Sequence, residues 1–354
     1  MTVVSPQSYA AAGVDVGAGE RAVELMRDWA GKTRRPEVVG DLGGFAGLFD
    51  ASALRKYRRP LLATSTDGVG TKVLIAQRMG VHDTIGLDLV GMVVDDVVVC
   101  GAEPLFLTDY IACGRVVPDR IAAIVEGIAK GCIRAGCALV GGETAEHPGV
   151  LGPDEYDLAG AVTGVVEADD LLGPDNVRVG DAVIAMASSG LHANGYSLVR
   201  RVLDRSGWSL DRHVAELGRT LGEELLEPTR IYTPDCLALS RSEAVELHAL
   251  AHVTGGGLAV NLSRVLPGRL AARVDRASWS PPPIFGLIGT AGGVPPEELE
   301  RTFNMGVGML AVVAAESADA ALAMLTTRNL SAWIAGEIRS GDGTAAVEGS
   351  YRAG

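Results

Sequence analysis

The sequence predicts a two-domain α/β protein with mixed sheets, and three observations support this fold class. A chain of 354 residues with 47% hydrophobic side chains is long and apolar enough for two cores. Strand-like and helix-like segments follow one another in both halves of the chain. Between the halves, the polar stretch 167–181 contains Gly173-Pro174-Asp175, which is typical of a linker. We therefore expect an N-terminal domain over 1–168 and a C-terminal domain over 169–354.

The first half is predicted to form a sheet of about four strands with helices packed against it. Its predicted helices cover 20–34, 69–79, 87–100 and 119–135, and its predicted strands cover 61–65, 105–112, 138–140 and 157–166. The segment 87–100 is ambiguous, because its valines favour a strand. Its length, Gly101 and the nearby Pro104 favour a helix instead. On that helix Asp88 and Asp95 share one face.

The second half begins with a predicted strand, a glycine-containing loop and a helix. Its predicted strands cover 182–187, 249–253, 308–314 and 332–338, and its predicted helices cover 196–204, 217–226, 235–247 and 318–327. The glycine run 255–257 ends the second of these strands. We predict no element after Ile338, where the tail is short and polar.

The overall composition excludes several classes of protein. The net charge of -13 argues against a nucleic-acid binder, which needs a basic face. No apolar run reaches the roughly 18 residues that span a bilayer. The first residues have no basic stretch followed by an apolar core, so we expect a cytoplasmic protein. The five cysteines contain no CxxC pair, which favours small buried thiols over zinc ligands.

A glycine-rich segment between the first predicted strand and the next helix carries the first site prediction. In this segment, Asp67-Gly68-Val69-Gly70-Thr71-Lys72, the carboxylate is a candidate Mg²⁺ ligand. The glycine amides, Thr71 and Lys72 are candidate phosphate contacts. The spacing is neither a Walker A loop nor GxGxxG. The alternative is an ordinary turn in which Asp67 caps the helix.

Lys72 stands out because lysine is rare in this chain. Only four of the 31 basic residues are lysines, the others being Lys32, Lys56 and Lys130. A chain that otherwise uses arginine suggests that Lys72 is needed as an amine. The alternative is that it was retained by chance on a solvated face.

Two further acidic motifs are candidate metal ligands. Asp95-Asp96 lies in a valine-rich segment, where a buried carboxylate needs a partner or a metal; the alternative is a pair of exposed helical acids. Glu143 lies in Gly141-Gly142-Glu143-Thr144, which is predicted to follow the end of a strand, and it could join Asp67 and Asp96 around Mg²⁺. The alternative is a turn whose Glu143 begins a helix.

Two loops of the second half are candidate anion sites. The first contains Ser189, Gly190, His192 and Asn194 directly before a helix, where backbone amides and the helix N-terminus attract anions. The second repeats this arrangement after a strand, with His252 followed by the loop Thr254-Gly255-Gly256. Two anion sites in one domain suit a phosphorylated substrate. For both histidines, the alternative is a core residue with satisfied hydrogen bonds.

The motifs together resemble one enzyme family along almost the whole chain. Asp96-x4-Gly101-Ala102-x-Pro104 is similar to the signature of the aminoimidazole ribonucleotide synthetase family, also called phosphoribosylformylglycinamidine cyclo-ligases. Further matching segments are Ser8-Tyr9, Ala12-Gly13-Val14-Asp15, 32–38, Leu42-Gly43-Gly44-Phe45, 66–72, 82–86, 141–146, 194–200, 228–232, 252–257 and 302–309. One departure is Arg27, where relatives can carry a lysine.

The resemblance implies an ATP-dependent enzyme of purine synthesis. It implies closure of formylglycinamidine ribonucleotide to aminoimidazole ribonucleotide, with release of ADP and phosphate. It also implies a homodimer whose N-terminal sheets meet, with Mg²⁺ as cofactor and a monovalent-cation requirement left open. The implied roles are Mg²⁺ binding by Asp67, Asp96 and Glu143, ATP phosphate binding by Lys72 and the Gly43-Gly44 loop, and amide activation or proton transfer by His252. The loops 189–194 and 254–256 would take the ribose phosphate.

The alternatives are sister enzymes and a binding protein without activity. A selenophosphate synthetase should carry a reactive cysteine near its N-terminus, whereas the first cysteine here is Cys100. A hydrogenase-maturation dehydratase should end in a cysteine, and this chain ends in Gly354. A thiamine-phosphate kinase should lack the set around His252 and Thr254. A non-catalytic nucleotide-binding scaffold is the alternative from another class.

Overall fold

Two mixed β-sheets organise the computed structural model, which describes residues 14–40 and 43–352. The predicted fold class, with two α/β halves, is confirmed. Of the segments quoted above, Ser8-Tyr9, Ala12-Gly13, Leu42 and the terminal Gly354 lie outside the described residues.

Over residues 14–40 and 43–168, the first half contains one four-stranded sheet, one short hairpin and four α-helices. The strands are β1 (Val38–Val39), β2 (Leu48–Phe49), β3 (Pro60–Gly68), β4 (Glu103–Cys113), β5 (Ala138–Glu146) and β6 (Tyr156–Glu167); the helices are α1 (Val16–Lys32), α2 (Val73–Met79), α3 (Ile85–Val98) and α4 (Pro118–Ala135). The sheet order is β3-β6-β4-β5, so β3 and β5 are its two edges. The β4–β5 pair is parallel and the other pairs are antiparallel.

The second half contains a six-stranded sheet in the order β10-β12-β7-β13-β11-β14. The strands are β7 (Ala182–Ala187), β8 (His213–Val214), β9 (Arg219–Thr220), β10 (Leu247–His252), β11 (Leu270–Asp275), β12 (Val307–Val313), β13 (Ala332–Ser340) and β14 (Ala345–Glu348). The helices are α5 (Tyr196–Ser206), α6 (Leu221–Leu225), α7 (Thr233–Ser240), α8 (Gly257–Ser263), α9 (Pro283–Gly292), α10 (Pro296–Thr302) and α11 (Ala318–Thr327). The predicted domain boundary falls between the end of β6 and the start of β7.

Helix α3 lies between the two halves of the chain, and this position explains why its sequence is ambiguous. All of its residues except Asp96 are buried, because it packs on the first sheet and also meets the second half. Burial on every side demands apolar residues all round, which is why the valine pattern looks strand-like. Asp88 and Asp95 do share a face, and both are fully buried.

Several local predictions were wrong, for identifiable reasons. Gly141-Gly142-Glu143 lies inside β5 and not after a strand end, because pairing with β4 carries the strand through the glycines to Glu146. The helix predicted over 235–247 ends at Ser240, and β10 begins at Leu247. The tail was assigned no structure, yet β14 pairs with β11. The other elements that were not predicted are the helices α8, α9 and α10 and the strands β1, β2, β8, β9 and β11.

Two of the compositional expectations, those on membrane-spanning helices and on cysteines, can be compared with the structure. Among residues 14–40 and 43–352, no helix is both long and apolar enough to cross a bilayer. All five cysteines are free thiols, and four of them are buried.

Candidate functional site

A histidine and a carboxylate from different halves of the chain meet at the centre of the candidate site. Asp96 is the exposed residue of α3, and His252 is the last residue of β10. His252 Nδ1 lies 2.8 Å from Asp96 Oδ1. The imidazole is almost fully buried, and its Nε2 has no hydrogen-bond partner among the residues that the structure describes. The carboxylate therefore orients the ring and leaves one nitrogen free for a ligand.

Negative charge around the ring determines its protonation. Burial acts to lower the pKa of His252, but the hydrogen bond with Asp96 and the charges of Asp95, Asp96 and Asp67 outweigh it. The net pKa is raised above its ordinary value. The imidazole therefore gains proton affinity from its surroundings, as a proton donor in the site would need.

Asp67 lies beside this pair, at the end of β3. Its Oδ1 accepts the backbone N–H of Gly68 at 2.8 Å. Burial raises its pKa, and the charge of Asp96 adds to the rise. Ser65, two residues earlier on β3, lies 3.4 Å from Asp96 Oδ2. The carboxylate of Asp67 at the strand end and that of Asp96 on α3 repel each other, and together they form an oxygen donor set that fits Mg²⁺.

The structure does not agree with the predicted contact between Lys72 and an ATP phosphate, because the ammonium group already has three acceptors. Its side chain is fully buried and forms an ion pair with Asp88. The backbone carbonyls of His192 and Glu227 accept its other two hydrogen bonds. Since an ammonium group has three N–H donors, none remains for ATP.

The loop between β7 and α5 is held in place by hydrogen bonds within the loop and to residues from other parts of the chain. The backbone N–H of Ser189 donates to His192 Nε2 at 3.2 Å, and Ser189 Oγ donates to the carbonyl of Pro228 at 2.6 Å. The carbonyl of Gly190 accepts from Asn304 Nδ2 at 2.9 Å. Burial lowers the pKa of His192 well below its usual value, with the positive charges of His252, Lys72 and Arg230 adding to the effect. His192 is thus a buried neutral residue that shapes the loop.

The second loop meets the first at Asn194. Asn261 of α8 donates to the carbonyls of Thr254, Gly255 and Gly257, which fixes the loop without using its backbone N–H groups. A Cβ added to Gly255 would lie 3.8 Å from Asn194 Oδ1. Gly256, with φ of 96°, precedes α8 in the left-handed conformation. The two predicted anion loops therefore adjoin each other, next to His252.

Glu143 and the Gly43-Gly44 loop lie at the other edge of the first sheet. Glu143 is exposed on β5, and the nearby Gly47 packs on Val140 of the same strand. Strands β3 and β5 are three strand spacings apart, or roughly 14 Å. Glu143 therefore does not join Asp67 and Asp96 within one chain. Within the described ranges, no group of three or more metal-binding side chains is assembled.

Several contacts that build the site were not predicted. Asp88 and Asp95 accept hydrogen bonds from Thr229, Tyr232 and Thr233 of the second half. Asn304 holds the Gly190 carbonyl. The sequence offered one signal, the shared face of the two aspartates, but their partners are 137–141 residues away along the chain.

Comparison with known proteins agrees with the resemblance seen in the sequence. The model of the AIR synthase related protein N-terminal domain matches residues 49–166, and that of the C-terminal domain matches 178–348. A phosphoribosylformylglycinamidine cyclo-ligase of Geobacillus kaustophilus is 49% identical and covers 97% of this chain and 99% of its own. One from an Anaeromyxobacter species is 52% identical, with coverage of 96% and 98%.

Solved structures share the fold at low sequence identity. Thiamine-monophosphate kinase from Stenotrophomonas maltophilia has a TM-score of 0.66 at 20% identity, covering 94% of this chain and 97% of its own. The hydrogenase maturation protein HypE in complex with ATP has a TM-score of 0.61 at 20% identity, with coverage of 93% and 91%. These neighbours establish the architecture alone. By the matches of both domain models and of full-length relatives, the chain belongs to the phosphoribosylformylglycinamidine cyclo-ligase family.

Proposed function

We propose that the protein closes formylglycinamidine ribonucleotide to aminoimidazole ribonucleotide, using ATP and releasing ADP and phosphate. The observation that carries the proposal is the Asp96–His252 pair, which lies between the Asp67 strand end and the two adjoining glycine loops. Relatives that are 47–52% identical over nearly their whole length bear the name of this enzyme. A small phosphorylated substrate suits a site built from glycine loops and helix starts.

The reaction needs a carbonyl oxygen to become a leaving group. The formamide oxygen attacks the γ-phosphorus of ATP, and ADP leaves. The amidine nitrogen then attacks the resulting iminophosphate carbon, and phosphate departs as the ring closes. Such chemistry depends on positioning and on charge stabilisation. We assign proton transfer at the amide to His252 Nε2, which has no hydrogen-bond partner within the described part of the chain.

The ligand contacts follow from the same geometry. We assign Mg²⁺ to Asp67 and Asp96, because a bound cation would stabilise two neighbouring carboxylates. The ion would also neutralise phosphate charge when bound. The amide of Gly70 and the hydroxyl of Thr71 are assigned to ATP, whereas the N–H of Gly68, which we predicted as a further phosphate contact, donates to Asp67 Oδ1. Ser189, Gly190, Asn194, Thr254, Gly255 and Gly256 are assigned to the ribose phosphate, with His192 shaping their loop.

We further propose a cytoplasmic homodimer in which the first sheets of two copies meet. The sheet face turned away from the helices carries Leu62, which is 64% exposed, and Tyr110, which is 41% exposed. Among the described strands, the edge strands β3 and β5 have no neighbour on their outer sides. Covering such a face and such edges would remove an aggregation hazard. It would also bring Glu143 and Gly43-Gly44 of a second copy towards Asp67. Five free thiols suit a reducing compartment.

The proposed function is tested by measuring two products of the purified protein. ADP and aminoimidazole ribonucleotide are quantified with Mg-ATP, with and without formylglycinamidine ribonucleotide. We expect substrate-dependent ADP release matched one-to-one by the aminoimidazole product. If folded protein that binds ATP makes neither product, the proposal fails, and a sister substrate or a scaffold role takes its place.

A further inference from the structure

The ammonium group of Lys72 lies where the two halves of the chain meet, and it is enclosed on all sides. Nζ donates to Asp88 Oδ1 at 2.7 Å, to the carbonyl of His192 at 3.0 Å and to that of Glu227 at 2.7 Å. Asp88 Oδ1 also accepts from the backbone N–H of Thr229 at 2.7 Å and from its hydroxyl at 2.6 Å. Each charge therefore has a partner, as burial requires.

The three acceptors belong to elements that shape different parts of the site. Asp88 is on α3, which also carries Asp96. His192 belongs to the loop between β7 and α5. Glu227 precedes Pro228, whose carbonyl accepts the hydroxyl of Ser189. A single side chain thus fixes this loop against the helix that carries Asp96.

The segment that carries Lys72 touches the same loop at other points. Thr71 Oγ1 lies 3.1 Å from Ser197 Oγ at the start of α5. A Cβ on Gly70 would lie 3.9 Å from the carbonyl oxygen of Ala193. The strand end at Asp67 and the loop around His192 are therefore neighbours across the domain boundary, and Lys72 is the charged link between them.

The backbone of His192 is in a conformation that needs outside support. Its φ is 61°, in the left-handed region that non-glycine residues adopt at a cost. The ring is held by Ser189, and the carbonyl is held by Lys72. Without the ammonium group, this carbonyl loses its charged donor, and the loop loses the contact that fixes it to the first half.

We infer that Lys72 is a positioning residue, which sets the distance between the ATP-binding strand end 67–71 and the phosphate-binding loop 189–194 without touching either ligand. The ligand identities in this statement rest on the proposed function. A compact ammonium group suits a pocket with three converging acceptors, whereas the planar guanidinium of arginine does not. This explains why lysine stands here in a chain that otherwise uses arginine.

The test compares Lys72→Met with the double variant Lys72→Met/Asp88→Asn. The single change leaves the Asp88 charge buried without its ion-pair partner, so we expect a large loss of thermal stability. In the double variant the amide oxygen can still accept from Thr229, and the unpaired charge is gone, so stability should largely return. Lys130→Met, at a half-exposed lysine paired with Glu126, is the matched control and should resemble the wild type.

The readouts are ligand affinity by calorimetry, kcat, and the melting temperature. In both Lys72 variants we expect the Kd for formylglycinamidine ribonucleotide to rise about tenfold and kcat/KM to fall about 100-fold, as expected for a misplaced loop. The Kd for Mg-ADP should stay within about twofold, because Asp67 and its glycines are untouched. The double variant should therefore regain stability without regaining substrate affinity.

Two results would overturn the inference. Recovery of wild-type kcat and substrate affinity in the double variant would reduce Lys72 to a counter-charge for Asp88. Loss of Mg-ADP affinity with substrate affinity intact would make Lys72 a direct nucleotide ligand. If Lys72→Met does not fold, the double variant decides alone. If the wild type makes no aminoimidazole product, the proposed function fails, and the same comparison with ribose 5-phosphate as probe still decides the role of Lys72.

Discussion

His252 and Asp96 approach each other from opposite halves of the chain, with Nδ1 and Oδ1 2.8 Å apart. The pair forms only if α3 and the end of β10 keep their relative position. Activity should therefore depend on the two residues as a unit.

A double-mutant cycle tests this unit. We expect Asp96→Asn and His252→Ala each to lower kcat by about 10²–10³, the range typical of a lost proton-transfer group. The kcat of the double variant should lie at most about threefold below that of the less active single variant, because the effects of residues that act as a unit are not additive. The cycle is measured by steady-state kinetics, with His213→Ala at an exposed histidine as control. Fully multiplicative losses would mean that the two residues act separately.

The glycine before α5 is required by its surroundings. Gly195 has φ of 78°, and an added Cβ would lie 2.3 Å from Cε1 of Phe303. Gly195→Ala should cost about 3 kcal/mol of stability, from left-handed strain and overpacking. Because Asn194 is adjacent, KM for the ribonucleotide should rise as well.

A second glycine, Gly207 at the other end of α5, allows the cost of left-handed strain to be measured apart from the cost of overpacking. It also has a left-handed backbone, with φ of 66°, but an added Cβ would meet no atom within 4 Å. Gly207→Ala should cost only about 1 kcal/mol. Denaturant unfolding of both variants gives the comparison. Equal losses at the two positions would show that contact with Phe303 does not matter.

Local patterns were sufficient to predict most elements, and α3 shows how. Its helix followed from length and from Gly101, although the valines argued for a strand. β5 shows the limit, because Gly141-Gly142-Glu143 has the composition of a turn and only pairing with β4 keeps it extended. A single chain segment carries no information about such a neighbour.

The candidate site was predicted only in part, because local sequence carries no information about contacts between distant segments. The Asp67, Asp96 and His252 motifs stand at the ends of predicted elements, and the fold brings them together. Lys72 was predicted as an amine with a definite role, but its acceptors come from positions 88, 192 and 227. Its burial is a property of the domain interface, which local spacing does not reveal.

Asp109 should make stability depend on pH. It lies on β4 opposite Gly142, and burial raises its pKa to about 7. A raised carboxyl pKa means that the folded state holds the proton over a window in which the unfolded state releases it. Stability should therefore fall as pH rises from about 4 to about 7, by at most about 1.4 kcal/mol per pH unit, and then level off.

The check is the melting temperature of Asp109→Asn across this range. The variant lacks the titration, so its stability relative to the wild type should increase with pH up to about 7 and stay constant above it. Asp175→Asn, at an exposed linker position, serves as control. A difference between variant and wild type that does not change with pH would mean that Asp109 is not the titrating group.

The separation of Asp67 and Glu143 across the first sheet predicts complementation between inactive variants. Within one chain the two residues lie on opposite edge strands. If a second copy supplies Glu143, a heterodimer of Asp67→Asn and Glu143→Gln chains has one site with both defects and one intact site. Random mixing gives as many heterodimers as homodimers, so roughly a quarter of the wild-type activity should return.

Dissociating and re-associating the two inactive proteins, followed by a product assay, measures this recovery. Asp67→Asn mixed with His252→Ala is the matched control. These residues belong to the same chain's half of the site, so every heterodimer site carries one defect and no activity should appear. Because the two mixtures differ only in the second mutation, at Glu143 or at His252, recovery in the first alone would require a site shared between copies. No recovery in either would mean that Glu143 of a second copy does not complete the site that contains Asp67.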